Sequence, residues 1–362
     1  MNRARLISLA RFAVCGLLLA IIFHVIFCNE VQLQLASEGH DWEKYTKWEK
    51  RELAWTRGPS ALWEMVHRLD TPSLALSFAA CGALIVLGGI RWREVLRAQG
   101  FEMSLGQVMR ISFVAHFFNA FLLGTAGGDV VKAWYAARTT PDKKAEAALT
   151  VFADRLLGTL ALLLFTAVLM VPNYALLLNY RRQLALALAV LAMLVVAGGL
   201  VVVGFYTDAL QHEGWLSRWV KRLPRGDSFA RGLAVCRRFG HEPGFMLRVG
   251  FWSLLLNLAM ALAYATLAHG IGIELSFVSL AYVTSAVVCV AALPVTPSGL
   301  GVRENLFVWL LAVPMLGVKP GAALSLSLLG YTLNLVWSAV GGLVYLFMPD
   351  RAEAAAIRSA TN

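Results

Sequence analysis

The chain has 362 residues, of which 59% are hydrophobic and only 15% charged. Soluble domains carry roughly 25% charged residues, so a soluble globular protein is excluded and a single integral membrane domain over 1–362 is expected. The formal net charge of +10 gathers in connections and forms no basic and aromatic module, which argues against a nucleic-acid partner.

In chain order, Arg3, Arg5 and Arg11 precede an apolar run to about Phe27. "FHVIFCNE" offers no small-x-small cleavage signal, so this run reads as an uncleaved first span near 8–28. Residues 29–72 read as an outer loop in which Trp42, Tyr45, Trp48, Trp55 and Trp63 alternate with charges. That pattern predicts an amphipathic helix at the membrane surface. Further spans are expected near 73–90, 148–171, 184–206, 248–269 and 321–348.

Two apolar regions do not run through. Residues 106–137 are interrupted by Gly124, Gly127, Gly128 and Asp129, and residues 276–316 by "LPVTPSGLGVRE" at 293–304. Glycine and proline break helices, so each region is expected as two half-helices joined by an irregular tip. Irregular backbone at membrane depth must be buried in protein or line a wet cavity, so both tips should face inward.

The segment 207–247 carries Arg218, Lys221, Arg222, Arg225, Arg231, Arg237 and Arg238, which places it in the cytoplasm. Within it, 228–240 also reads as an amphipathic stretch. Counting outward puts both termini, 91–105 and 138–147 on the cytoplasmic side, and the two broken regions then enter from opposite sides. The expected fold is an all-α polytopic membrane protein with about six full spans and two broken or re-entrant hairpins in an inverted-repeat arrangement, the pattern of secondary transporters.

The chemistry gathers at the interruptions. Gly127 and Gly128 allow the first turn, and Asp129 either caps a half-helix starting at Val130 or borders an anion site made by free amides and Lys132. At the second tip Ser298, Gly299 and Gly301 precede Arg303 and Glu304. Arg303 can hold a phosphate with two hydrogen bonds, or it can pair internally with Glu304 or Asp129. Asp154 and Arg155 lie two turns inside a span, where Arg155 either faces a polar interior or snorkels to the surface. Asn119, Asn257 and Asn334 are weaker candidates. The scattered histidines and five cysteines show no ligand spacing, so no metal and no cofactor is expected.

"RWREV", "GGDVVK", "DRLLG" and "TPSGLGVRE", in that order from about Arg91 onward, resemble the family named for the transmembrane region of lysylphosphatidylglycerol synthase, also found in the multiple peptide resistance factor. Lys132 stands where arginine is common in that pattern. The resemblance implies movement of a phospholipid or polyprenyl-phosphate-type lipid across a bacterial or archaeal inner membrane, with Asp129, Lys132, Asp154, Arg155, Arg303 and Glu304 at the site. The last span ends near 348 and the chain at 362, so a following soluble synthase domain is not expected and neither is an enzyme. A lipid with an anionic headgroup is the expected partner. The other reading is an accessory subunit for a lipid-modifying enzyme or glycosyltransferase, and homo-oligomer formation is left open.

Overall fold

The computed structural model describes residues 17, 20–21, 23–32, 34–35, 38–68, 70–120, 127–139, 143–206, 243–293 and 301–347. Most of the expected first span, the tip residues 121–126, Pro297, Ser298 and Gly299, residues 207–242 with the 228–240 stretch, and the chain beyond 347 lie outside the described residues.

Five long apolar helices stand where spans are expected: α2 (Thr71–Ala98), α5 (Lys144–Met170), α7 (Arg181–Tyr206), α8 (Pro243–Gly270) and α11 (Pro320–Leu346). Their lengths exceed the roughly 20 residues that cross hydrocarbon. Each broken region is two short helices. The first is α3 (Leu105–Asn119) and α4 (Gly127–Thr139), and the second is α9 (Phe277–Ala291) and α10 (Val302–Leu311). The other helices include α1 (Lys47–Arg68), the short α6 (Tyr174–Asn179), which the hydropathy pattern does not announce, a single 3-10 turn at Trp42–Lys44, and helical residues ahead of that turn. The described residues contain no strand.

Local chemistry sets several helix starts. Asp70 accepts the Ser73 amide at 3.2 Å just ahead of Pro72, and Ser276 accepts the Ser279 amide at 3.1 Å. Ser104 and Gln107 cap each other reciprocally at 3.3 and 3.1 Å, which satisfies two amide donors that the first turn leaves open.

α2 and α8 pack antiparallel. Ser73 meets His269 at one end, Ser77 meets Thr266, Arg91 meets Ser253, and Glu94 meets Arg248 at the other end. α3 leaves the Ala98 end of this pair and packs on α4, which returns to that end, where Ala136 packs with Phe101, Met103 and Ala147. α9 leaves the opposite Gly270 end and packs on α10. α10 returns to that side, where Gln183 donates to the Leu310 carbonyl at 2.9 Å and the Met315 amide donates to Tyr180 at 3.0 Å. The two broken regions therefore start from opposite ends of one helix pair. α11 is the central helix, with 61% of its apolar stretch buried against 22% for α7.

The segment 29–72 departs from a simple outer loop. Helix continues through residues 29–32, and Glu30 is 2% exposed there, accepting from Thr332 of α11 at 3.2 Å. Glu30 belongs to the core because the helix runs on past Cys28, an extension that a polar residue after an apolar run conceals. α1 supplies the expected helix. It opens on Thr46, whose amide donates to Glu49 at 2.8 Å while its hydroxyl accepts the Glu49 amide at 3.4 Å. The Thr46 backbone N–H, with its hydroxyl, holds the Glu49 carboxyl below its usual range. Ala54 and Gly58 pack inward, Gly58 against Phe27, while Trp48 and Trp63 point outward.

Gly341 lets α11 touch α3, since a Cβ there would collide with the Phe113 carbonyl. Gly199 on α7 has nothing near it. Gly341→Ala is expected to destabilise the detergent-solubilised protein by about 1–3 kcal/mol, because a backbone atom cannot step aside. Gly199→Ala should instead gain about 0.5–1 kcal/mol. Thermal unfolding of the two variants side by side checks the contrast.

Candidate functional site

Two groups of charged side chains lie inside the helical bundle. The first is built on α2, α4 and α5. Arg91 donates from Nε to Asp154 Oδ1 at 2.8 Å and from Nη2 to Oδ2 at 3.3 Å, with Nη1 3.4 Å from Ser253 Oγ. Both side chains are nearly sealed, at 11% and 8% exposure. Gly158, one turn beyond Asp154, makes room for this pair: a Cβ there would collide with the Arg91 guanidinium. "RWREV" and "DRLLG" are thus two halves of one contact.

The neighbours in "RWREV" anchor the same corner. Trp92 is fully buried and donates to Thr150 at 3.2 Å, Arg93 donates to the Met103 carbonyl at 3.3 Å, and Glu94 pairs with Arg248 at 3.0 Å. Lys132 places its ammonium 5.1 Å from the centre of the Trp92 ring. This cation–π seat accounts for a lysine where a forked guanidinium is not required.

α4 begins at Gly127, so Asp129 lies in its first turn and is not the residue preceding Val130 as a cap. The cap comes from across the hairpin: Asn119 Oδ1 accepts the Gly128 amide at 2.6 Å. A Cβ on Gly128 would collide with the Ala115 carbonyl and crowd Asn119. Gly128 therefore serves the close approach of α3 and α4. Asp129 is released for Arg155, whose Nη1 lies 3.4 Å from its Oδ2. This second pair is open, with Arg155 39% exposed and Asp129 27%.

The second group is at α10. Gly301 adopts φ +81°, a left-handed conformation that glycine accepts readily. Its amide donates to Glu304 at 2.5 Å, and Glu304 also accepts from Arg303 Nη2 at 2.9 Å. The Glu304 carboxylate thus occupies the positive end of α10. Arg303 pairs with Glu304, not with Asp129, and its guanidinium stacks 4.4 Å from the centre of the Tyr331 ring.

A cavity of about 270 Å³ lies where the two broken regions converge. Asn119 and Ala120 at the end of α3, Ala291 and Ala292 at the end of α9, and Arg303 at the start of α10 all line it. His116, Tyr264, Tyr331 and Asn334 complete its polar lining. Arg303 is 8% exposed, and its Nε has no hydrogen-bond partner among the described residues, nor has His116 Nε2. Buried polar atoms are nearly always paired, so two orphans on one cavity mark a place where a ligand or water belongs.

The expected site residues thus divide. Asp129, Lys132, Asp154 and Arg155 come together with Arg91, while Arg303 and Glu304 form a separate pair of which Arg303 lines the cavity. Gly127, Gly128 and Gly301 shape the helix starts, and Ser298 and Gly299 lie outside the described residues. Asn119 and Asn334 reach the cavity, whereas Asn257 does not line it. His116, Tyr264 and Tyr331 went unnoticed in the sequence; only the position of His116, one turn before Asn119, offered a signal. Arg91 and Asp154 were each visible within a motif, but their pairing was not.

Long apolar helices with paired charges held between them define a polytopic helical membrane protein. The chain belongs to the family described as the lysylphosphatidylglycerol synthase TM region, whose model matches residues 53–342. The match begins within α1, upstream of the motifs that suggested it. A UPF0104 membrane protein of Methanothermobacter thermautotrophicus (strain ATCC 29096 / DSM 1053 / JCM 10044 / NBRC 100330 / Delta H) is 24% identical over 272 residues, covering 67% of this chain and 74% of that protein.

The Arg91–Asp154 pair can be tested by a double-mutant cycle. Arg91→Met or Asp154→Leu alone leaves one buried charge without its partner and is expected to cost about 3–5 kcal/mol. The double variant should recover most of that loss in thermal unfolding, because no unpaired charge remains.

Proposed function

We propose that the chain is a lipid translocase, moving a lipid with an anionic headgroup between leaflets while the tails stay in hydrocarbon. The observation that carries this reading is the cavity where both broken regions converge, lined by a buried guanidinium with an unused donor. A phosphate fits that donor because charge-assisted hydrogen bonds gain most where water is excluded. Family membership supports a lipid-related role in the membrane.

On this reading α3–α4 and α9–α10 are re-entrant hairpins of an inverted repeat, and their start from opposite ends of the α2–α8 pair supports it. The protein sits in the cytoplasmic membrane with the Ala98, Tyr206 and Leu346 helix ends and both termini facing the cytoplasm. It performs no covalent chemistry itself. The alternative, an accessory subunit for a lipid-modifying enzyme, draws on the internal pairing of Asp154 and Glu304, which suits a scaffold as well as a transporter.

The test is reconstitution into liposomes with fluorescent anionic, zwitterionic and polyprenyl-phosphate lipids, comparing the natural chain with Arg303→Ala, Arg303→Lys and Asp129→Asn. Transfer of one anionic class is expected, falling about 10- to 100-fold in Arg303→Ala, the range for one lost hydrogen bond to a charged group, with partial retention in Arg303→Lys. Transfer that is absent, or equal in natural and variant chains, assigns the charges to scaffolding and leaves the accessory role.

A further inference from the structure

A second concave feature, about 470 Å³, runs on the flank between α5 and α7. Phe152, Leu156, Thr159 and Leu163 form one wall at helical spacing, and Met193, Val196 and Leu200 form much of the other. From Phe152 to Leu163 the groove follows α5 for about 16 Å at 1.5 Å rise per residue. Its walls are almost wholly apolar, and Phe152, Val196 and Leu200 are each more than half exposed. On a membrane protein such a flank meets lipid chains.

One charged side chain enters this wall. Arg155 lines the groove, and it is more exposed than the other charges paired in the first group, 39% against 27% for Asp129 and 11% for Arg91. It sits 11 positions beyond the first residue of the 27-residue α5, within the apolar span and beside an apolar channel. The Asp129 carboxylate contacts it at 3.4 Å, beyond the 2.7–2.9 Å of a strong charge-assisted hydrogen bond. Leu293, at the end of α9 where the second interruption starts, closes one side of the groove.

We propose that the α5–α7 groove is a lateral port that holds one hydrocarbon chain of an anionic phospholipid, with the lipid phosphate replacing the Asp129 carboxylate on Arg155. This rests on the translocase reading and adds to it the place where the lipid leaves the bilayer. The apolar walls match a hydrocarbon chain, and the guanidinium matches a phosphate in charge and fork geometry. A zwitterionic lipid carries its own ammonium and gains less from the exchange.

The full chain is reconstituted with phosphatidylglycerol carrying a photoreactive group on one acyl chain, and the labelled peptides are mapped by mass spectrometry. Label is expected on residues 152–163 and 192–200 in excess over the equally exposed face of α8 around Leu247 and Phe251. It should fall about tenfold in Arg155→Gln, as loss of one hydrogen bond to a charged group brings, with partial retention in Arg155→Lys, which keeps the charge and loses the fork. Ala192→Phe, at an exposed position on the groove wall, should lower it without changing the melting temperature. Label spread evenly over lipid-facing helices, equal labelling by the phosphatidylcholine probe, or stronger competition by polyprenyl phosphate overturns the proposal. Groove labelling without lipid transfer retains the port and removes the translocase; transfer without groove labelling does the reverse.

Discussion

The Arg91–Asp154 pair is the constraint around which the rest of this bundle is arranged. Two full charges between apolar helices are tolerable only when each satisfies the other, because desolvating either alone costs several kcal/mol. Arg91 uses all three of its nitrogens, two on Asp154 and one toward Ser253, and so ties α2, α5 and α8 together at one level. The requirement spreads outward: Gly158 must lack a side chain for the guanidinium to lie against α5, and Trp92 on the adjacent position becomes the seat for Lys132 of α4. A single ion pair thereby sets where the first broken region stands.

The spans were legible because 20 apolar residues admit few alternatives, and α2, α5, α7, α8 and α11 all lie on them. The two interruptions were legible because glycine and proline have local effects on a helix. What the residues could not disclose is pairing across distance. Asp154 and Arg155 are neighbours in sequence, yet one is sealed against Arg91 and the other opens toward Asp129 and the lipid-facing flank. Adjacent positions on a helix point 100° apart, so the motif contains two different sites. The same blindness hid Glu30, which has an ordinary outer-loop context in sequence but is buried and accepts from Thr332, some 300 positions later.

Glycine has different functions at the two interruptions. In the first, Gly128 is required by proximity, since α3 passes so close that only hydrogen fits between it and the Ala115 carbonyl. In the second, Gly301 has open space around it and is required by its left-handed φ. The two starts also differ in what satisfies them. α4 takes a neutral amide oxygen from Asn119, whereas α10 takes the carboxylate of its own Glu304. Electrostatically, each positive end meets a carboxylate in its own first turn, Glu304 at α10 and Asp129 at α4, but Asp129 is shared with Arg155.

Asn119 joins these two environments. Its Oδ1 holds the Gly128 amide in the first turn of α4, and the same residue lines the cavity together with Arg303 and His116. A group that occupied the cavity and donated to Asn119 Oδ1 would compete with the Gly128 amide and loosen the start of α4, whereas an anion would draw on the Asn119 Nδ2 donors and leave that bond in place. Asp129 lies one residue beyond Gly128, so any shift of that start changes its 3.4 Å contact with Arg155. The cavity and the open ion pair, although built on different helices, are therefore connected through one side chain.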